Sequence, residues 1–150
     1  MVLLIENRRA RHDYSILEKF EAGLVLTGPE VKAIKNGHAS LQGAFVIPKD
    51  NELWLTGMQV APYPPAKREQ AHYDPRRDRK LLLAAGELGY LVGKLRTQGL
   101  TVVPLALYTS HRFVKVELGV ARGKTRQDKR ASIRRRETER EIRRTLKRVS

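Results

Sequence analysis

Four histidines, His12, His38, His72 and His111, and no cysteine bound the metal and nucleophile chemistry open to this chain. No two histidines stand at i, i+4, the spacing that sets two ligands on one helix face, so no zinc site is expected. Without cysteine, thiolate catalysis and disulfides are excluded. Gly119-Val-Ala-Arg-Gly123-Lys124-Thr125 has the shape of the end of a phosphate-binding loop. That loop requires a glycine at 118, where Leu118 stands, and no apolar run ending in Asp follows. No Gly-x-Ser-x-Gly turn supports a nucleophilic serine. The chain reads as a non-enzyme with no metal and no cofactor.

The remaining polar chemistry is cationic. The 150 residues carry a formal net charge of +14. Three clusters hold much of it: Arg8, Arg9, Arg11 and His12; Arg76, Arg77, Arg79 and Lys80 inside Asp74-Pro-Arg-Arg-Asp-Arg-Lys80; and Arg122, Lys124 and the segment after them. From Arg122 to Ser150 there are 13 Lys/Arg against 4 Asp/Glu. One such run is usually a solvated face. Three around one small fold point to nucleic acid first and an anionic membrane surface second, because Lys and Arg attract phosphate whatever the sequence. His12, Tyr14, Tyr108 and Phe113 offer faces for unpaired bases, with core packing favoured for Tyr108. Glu21 runs against this trend. It reads equally as a surface counter-charge and as an acceptor for base amino or imino groups.

Elements must position these groups. Tyr14 to Leu26 suits a strand interrupted at Gly23. Gly28-Pro29-Glu30 opens a short helix that ends at Asn36-Gly37, with Val31 and Ile34 inward and Lys32 and Lys35 outward. Leu41–Ile47 and Glu52–Val60 form a hairpin across Pro48-Lys-Asp-Asn51, and 61–74 is a proline-rich loop. A helix in two pieces is expected between Pro75 and Gln98, with Leu81, Leu82 and Leu83 on its apolar face. Leu100–Thr109 and Phe113–Val120 make a second hairpin. No apolar run is long enough to span a membrane, and Met1–Ile5 is too short for a signal segment. Beyond Gly123 few apolar groups remain. Ile142, Leu146 and Val149 share one helical face, but Ile133 lies on another. The expectation is a mainly β fold: an antiparallel barrel of the oligonucleotide-binding (OB) type, about six strands with two or three helices, over 1–123. A basic tail follows over 124–150, disordered when free.

An ordered set of motifs sharpens this. Asn7-Arg-Arg-Ala-Arg-His-Asp-Tyr14, Glu21-Ala-Gly23, Gly28-x-Glu30-Val-Lys32, Asp74-Pro-Arg76, Arg79-Lys-Leu-Leu-Leu83, Gly99-x-Thr-Val-Val103, Lys115-Val116, Gly119, Gly123-Lys124 and Asp128-Lys-Arg130 stand in sequence. Together they resemble the SsrA-binding protein (SmpB) family over residues 6 to 136. The resemblance implies a cytoplasmic adaptor, expected as a monomer, that binds the tRNA-like domain of transfer-messenger RNA and enters stalled ribosomes in trans-translation. The ribosomal partners would be the rRNA of the decoding centre and the mRNA channel, where the tail would become helical and sense that no message is present. No membrane partner is implied. RNA contact is associated with the positions of Asn7, Arg9, His12, Glu21, Leu82 and Lys115, to which the clusters add Arg8, Arg11, Arg76, Arg79 and Lys80, and the Gly28-x-Glu30-Val-Lys32 motif adds Lys32. Leu82 reads as either core or platform. Gly123, Lys124, Asp128, Lys129 and Arg130 fall at the ribosome-engaging end. The chain departs from the family at Pro29, where Trp is common, at Ala33, where Ser is common, and at Gln127, where His or Tyr is common. Contact at 127 would then be a hydrogen bond to a base edge in place of stacking.

Overall fold

The computed structural model describes residues 2–63 and 72–123. In chain order these form β1 (Val2–Glu6), α1 (Arg8–Asp13), β2 (Tyr14–Leu24), α2 (Gly28–Lys35), β3 (Ala39–Ser40), β4 (Phe45–Lys49), β5 (Glu52–Thr56), β6 (Gln59–Val60), β7 (Arg79–Leu82), α3 (Ala85–Leu95), β8 (Leu100–Ser110) and β9 (Phe113–Gly123). Seven strands make one sheet in the order β1-β8-β9-β2-β7-β5-β4, and β3 and β6 form a separate two-stranded ribbon. Every pairing is antiparallel. The sheet rolls until β4, its last strand, packs against β8, yet no ladder joins those two. The expected OB-type architecture therefore holds as an OB-like curved sheet that is not closed by hydrogen bonds. Its strands outnumber the expected six.

Local chemistry explains most boundaries. Thr27 and Glu30 make a capping box at the start of α2, with Pro29 in the first turn. Ile34 is buried, Val31 packs on the core from its edge, and Lys32 and Lys35 face out, as their spacing requires. Asp50 and Asn51 both take positive φ, 54° and 59°, which lets a two-residue turn join β4 to β5. Val2–Ile5, read only as part of an apolar start, belong to an edge strand beside β8.

The helix expected between Pro75 and Gln98 is corrected. Residues 79–82 are β7, set between β2 and β5, and the helix spans only Ala85–Leu95. Burial along β7 alternates, with Arg79 and Leu81 inward and Leu82 outward. An arginine in the first inward position hides that period of two, and the run Leu81-Leu82-Leu83 then reads as a helical face.

Arg79 is fully buried, and its surroundings explain how. Its Nε and Nη2 lie 2.8 and 2.7 Å from Glu30 Oε2. Nη1 donates to the carbonyls of Met58 (2.7 Å) and Arg77 (3.0 Å), and Nη2 to the Tyr73 hydroxyl (2.9 Å) and the Pro75 carbonyl (3.0 Å). Glu30 is also buried. It takes further bonds from Arg77, from the Thr27 N–H at 3.0 Å and from the Tyr73 hydroxyl at 3.0 Å. Burial by itself raises the Glu30 pKa, but the Arg77 hydrogen bonds, the Thr27 N–H and the Arg79 charge together bring it down to about 2.

Removing one partner of such a cluster strands a buried charge. Arg79→Ala is therefore expected to cost about 3–5 kcal/mol in urea unfolding. The lowered Glu30 pKa adds stability that is present above its unfolded pKa of about 4.5 and is lost as pH falls toward 2. Acidification from pH 5 to pH 2.5 should then destabilise the native chain more than Glu30→Gln, by about 2–3 kcal/mol. Equal acid slopes for the two chains would contradict the assignment.

Candidate nucleic-acid interface

Asn7 fixes the first basic cluster in place. Its backbone N–H donates to the Leu105 carbonyl (2.8 Å), and its Nδ2 donates to the carbonyls of Pro104 (2.8 Å) and Leu41 (3.2 Å). Its Oδ1 accepts from the Ala10 N–H and caps α1. Ala10 then packs with Val103, Leu105 and Ala121 in a small second core on the outer face of the sheet, flanked by Tyr14 and Ile16. Gly119 makes this packing possible, because a Cβ there would stand 3.0 Å from Leu105 and 3.1 Å from Ile16. With α1 pinned, Arg8, Arg9 and His12 project outward. Arg8 lies 3.8 Å from Glu6, Arg9 lies 3.6 Å from Asp13, and His12 Nδ1 lies 3.0 Å from Asp13. Exposed pairs of this kind are worth little in water, so their cations remain available to phosphate.

The rest of the outer face is open. Cross-strand register places Leu82, Gly23, Lys115, Tyr108 and Leu3 in one row across β7, β2, β9, β8 and β1. The next row holds Glu21, Glu117, Ala106 and Glu6. Opposed residues of antiparallel strands point to the same side, so both rows share this face. Glu6, Arg11, Lys19, Glu21, Tyr108 and Glu117 line a concavity of about 410 Å³ here. Arg11 reaches into it, 3.7 Å from Glu6 and 3.4 Å from Glu117. The Tyr108 hydroxyl has its pKa raised, first by burial, then by hydrogen bonding to Glu21 and by the charges of Glu21 and Glu117.

Beside it lies a second concavity of about 340 Å³, lined by Gly23, Leu26, Leu82, Arg112, Phe113 and Lys115 among others. Leu82 is 52% exposed and Phe113 is 69% exposed. Leu82 thus lies on the open face and not in the core. Gly23 gives it room, since a Cβ there would lie 3.3 Å from the Leu82 Cβ. An apolar platform flanked by Arg112 and Lys115 suits a stacked base or ribose with its phosphate.

The structure therefore brings Glu21, Leu82, Lys115 and Arg11 onto one face, with α1 at its end. Lys80 also points outward from β7, 3.7 Å from Glu52 and opposite Trp54. Lys32 lies on α2 with its Nζ 5.5 Å above the Tyr63 ring, and Arg76 is exposed ahead of β7. Two expectations are corrected. Arg79 sits wholly inside, bound to Glu30, and has no surface from which to meet RNA. Asn7 is 4% exposed with its amide occupied by the backbone, so its part is to hold α1. Tyr108, read as core, is buried, and Tyr14 is half-buried against the second core. Gly123 ends β9 opposite Tyr14. Lys124, Asp128, Lys129 and Arg130 lie outside the described residues. The residues missed by sequence reasoning are Glu117 and Arg112. Strand alternation from Lys115 would have flagged Glu117, but only the register shows that it faces Glu21. Among the described residues no group of three His, Asp or Glu is arranged to hold a metal ion.

Comparison with known proteins identifies what the chain is similar to. A family model described as SmpB protein matches residues 4–148. An SsrA-binding protein of Synechococcus sp. (strain JA-3-3Ab) is 53% identical over 96% of this chain and 93% of its own length. The SsrA-binding protein of Coprothermobacter proteolyticus is 49% identical, covering 96% of each chain. A solved structure described as "tmRNA-SmpB: a journey to the center of the bacterial ribosome" aligns with a TM-score of 0.68 and 49% identity, over 87% of this chain and 94% of that one.

Because Asn7 holds two carbonyls and a helix cap from the interior, Asn7→Ala is expected to lower unfolding stability by about 1–3 kcal/mol. Arg9→Ala, on the exposed side of α1, should leave the urea midpoint nearly unchanged. Equal midpoints for both variants would show that Asn7 does not anchor the helix.

Proposed function

This chain belongs to the SmpB family, and on that premise we propose that it binds the tRNA-like domain of transfer-messenger RNA (SsrA) and delivers it to stalled ribosomes for trans-translation. It acts as a non-enzymatic adaptor, a monomer that completes a tRNA mimic. The observation that carries this reading is the family match along residues 4–148. The outer sheet face supports it physically. Phosphates meet Arg8, Arg9, Arg11 and Lys115, an unstacked nucleotide lies on Leu82, and Glu21 accepts from base amino or imino groups. Arg76, Lys80 and Lys32 extend the positive field beyond that face.

Residues 1–123 act as the RNA-binding unit. Residues 124–150, with Lys124, Asp128, Lys129 and Arg130 at their start, engage rRNA at the decoding centre and fold in the empty mRNA channel. A role on ribosomes supports a cytoplasmic location. No helix among the described residues is long and apolar enough to cross a membrane.

A gel shift tests the partner. Binding to the tRNA-like domain should be at least tenfold tighter than to a generic RNA duplex at the same salt. Equal affinity would instead favour a general basic translation factor. Glu21→Ala should weaken binding by about tenfold although it raises the net positive charge. Unchanged or stronger binding would make Glu21 a bystander. Deleting residues 128–150 should change RNA affinity by less than about tenfold while abolishing tagging on stalled ribosomes, and a hundredfold loss of affinity would contradict this division of labour.

A further inference from the structure

Three carboxylates share the outer face, and they differ in what neutralises them. Arg11 lies between Glu6 and Glu117, within ion-pair distance of both. Glu21 stands opposite Glu117 across the β2–β9 ladder, exposed, and no ion pair to it occurs among the described residues. A lone glutamate on a strand surface samples many rotamers, and freezing it on a ligand costs side-chain entropy.

Tyr108 changes this. Its position on β8 points to the outer face, yet it is only 7% exposed. Its neighbours account for that. Ala106 is two residues back on the same face, Gly23 ends the facing row on β2, and neither fills the space above the strands. The phenol can thus lie across β9 toward β2, a lateral span of about 10 Å that a tyrosine and a glutamate cover together. Its hydroxyl and the Glu21 carboxylate line the same concavity, near enough for Glu21 to raise the phenol's pKa. A phenol ordinarily keeps its proton at neutral pH, and burial and the neighbouring carboxylates raise this one's pKa further, so it can donate. One hydroxyl supplies one proton, which leaves the other Glu21 lone pairs for further donors.

We propose that Tyr108 is a positioning residue for RNA recognition: lodged against the sheet face, its hydroxyl holds the Glu21 carboxylate in one orientation with its free lone pairs toward base N–H donors. This rests on the reading that Glu21 contacts RNA. Arg11 assists by occupying Glu6 and Glu117, so that no second carboxylate competes for the same phenol.

A double-mutant cycle on the full chain, read as Kd for the tRNA-like domain, separates the two ideas. Tyr108→Phe keeps the ring and removes the hydroxyl. It should weaken binding by about 3- to 10-fold. In a Glu21→Ala background the same change should have no further effect, because there is no carboxylate left to orient. A Tyr108→Phe effect of equal size in both backgrounds would mean a purely structural role and overturn the proposal. Unchanged binding in Tyr108→Phe, with Glu21→Ala still weakened, would also overturn it while leaving the Glu21 contact standing. If Glu21→Ala binds as tightly as the native chain, the contact and its positioning fall together.

Discussion

One buried ion cluster dictates where the middle of the chain can go. Arg79 stands at the first inward position of β7 and makes hydrogen bonds to Glu30, Tyr73 and three backbone carbonyls. A guanidinium out of water is tolerable only with such complete satisfaction, and among the described residues no buried side-chain polar atom lacks a partner. The cluster ties α2 to the segment before β7. It holds Arg79 inward, and the period of two then sends Lys80 and Leu82 outward. A slip of one residue would bury Leu82 and expose Arg79. The chemistry of the outer face thus depends on a charge pair that never touches it.

The sheet in turn lets one set of strands serve two purposes. On its inner side Ala22, Val116, Leu107 and Leu118 join the main core. On its outer side the alternate residues carry carboxylates, a lysine and an exposed leucine. A sheet with one solvated face normally shows only polar residues there. Here one end is covered by α1 and its small core, and the other carries Leu82 and Phe113 in the open. Exposed apolar groups beside cations fit a ligand with both flat hydrophobic faces and charged linkages, which describes unpaired RNA. On the proposed function, the chain's positive charge would draw such a ligand in, and the carboxylates and Leu82 would orient it.

Much of this was legible from residues alone. The helix start at Gly28-Pro29-Glu30, the turn across Pro48-Lys-Asp-Asn51 and the long β8–β9 hairpin follow from local rules, because caps and turns depend on residues a few positions apart. The basic clusters and the odd Glu21 were equally visible. What failed did so for a physical reason. Arg79 looks like its neighbours Arg76 and Arg77 in sequence, but a residue 49 positions away neutralises it. Asn7 looks like one more polar group in a basic stretch, yet carbonyls 34 and 97 residues away hold it inside.

By itself, then, the sequence determined the charge, the absence of thiol chemistry, the mainly β character and the motifs that resemble one family. These are properties of composition and short-range spacing. Only the tertiary structure decided which cations face solvent, that Leu82 is exposed on the outer face, and that Glu21, Glu117 and Tyr108 line one concavity. Burial and register are set by pairings between distant strands, and a chain read residue by residue carries no coordinate for them.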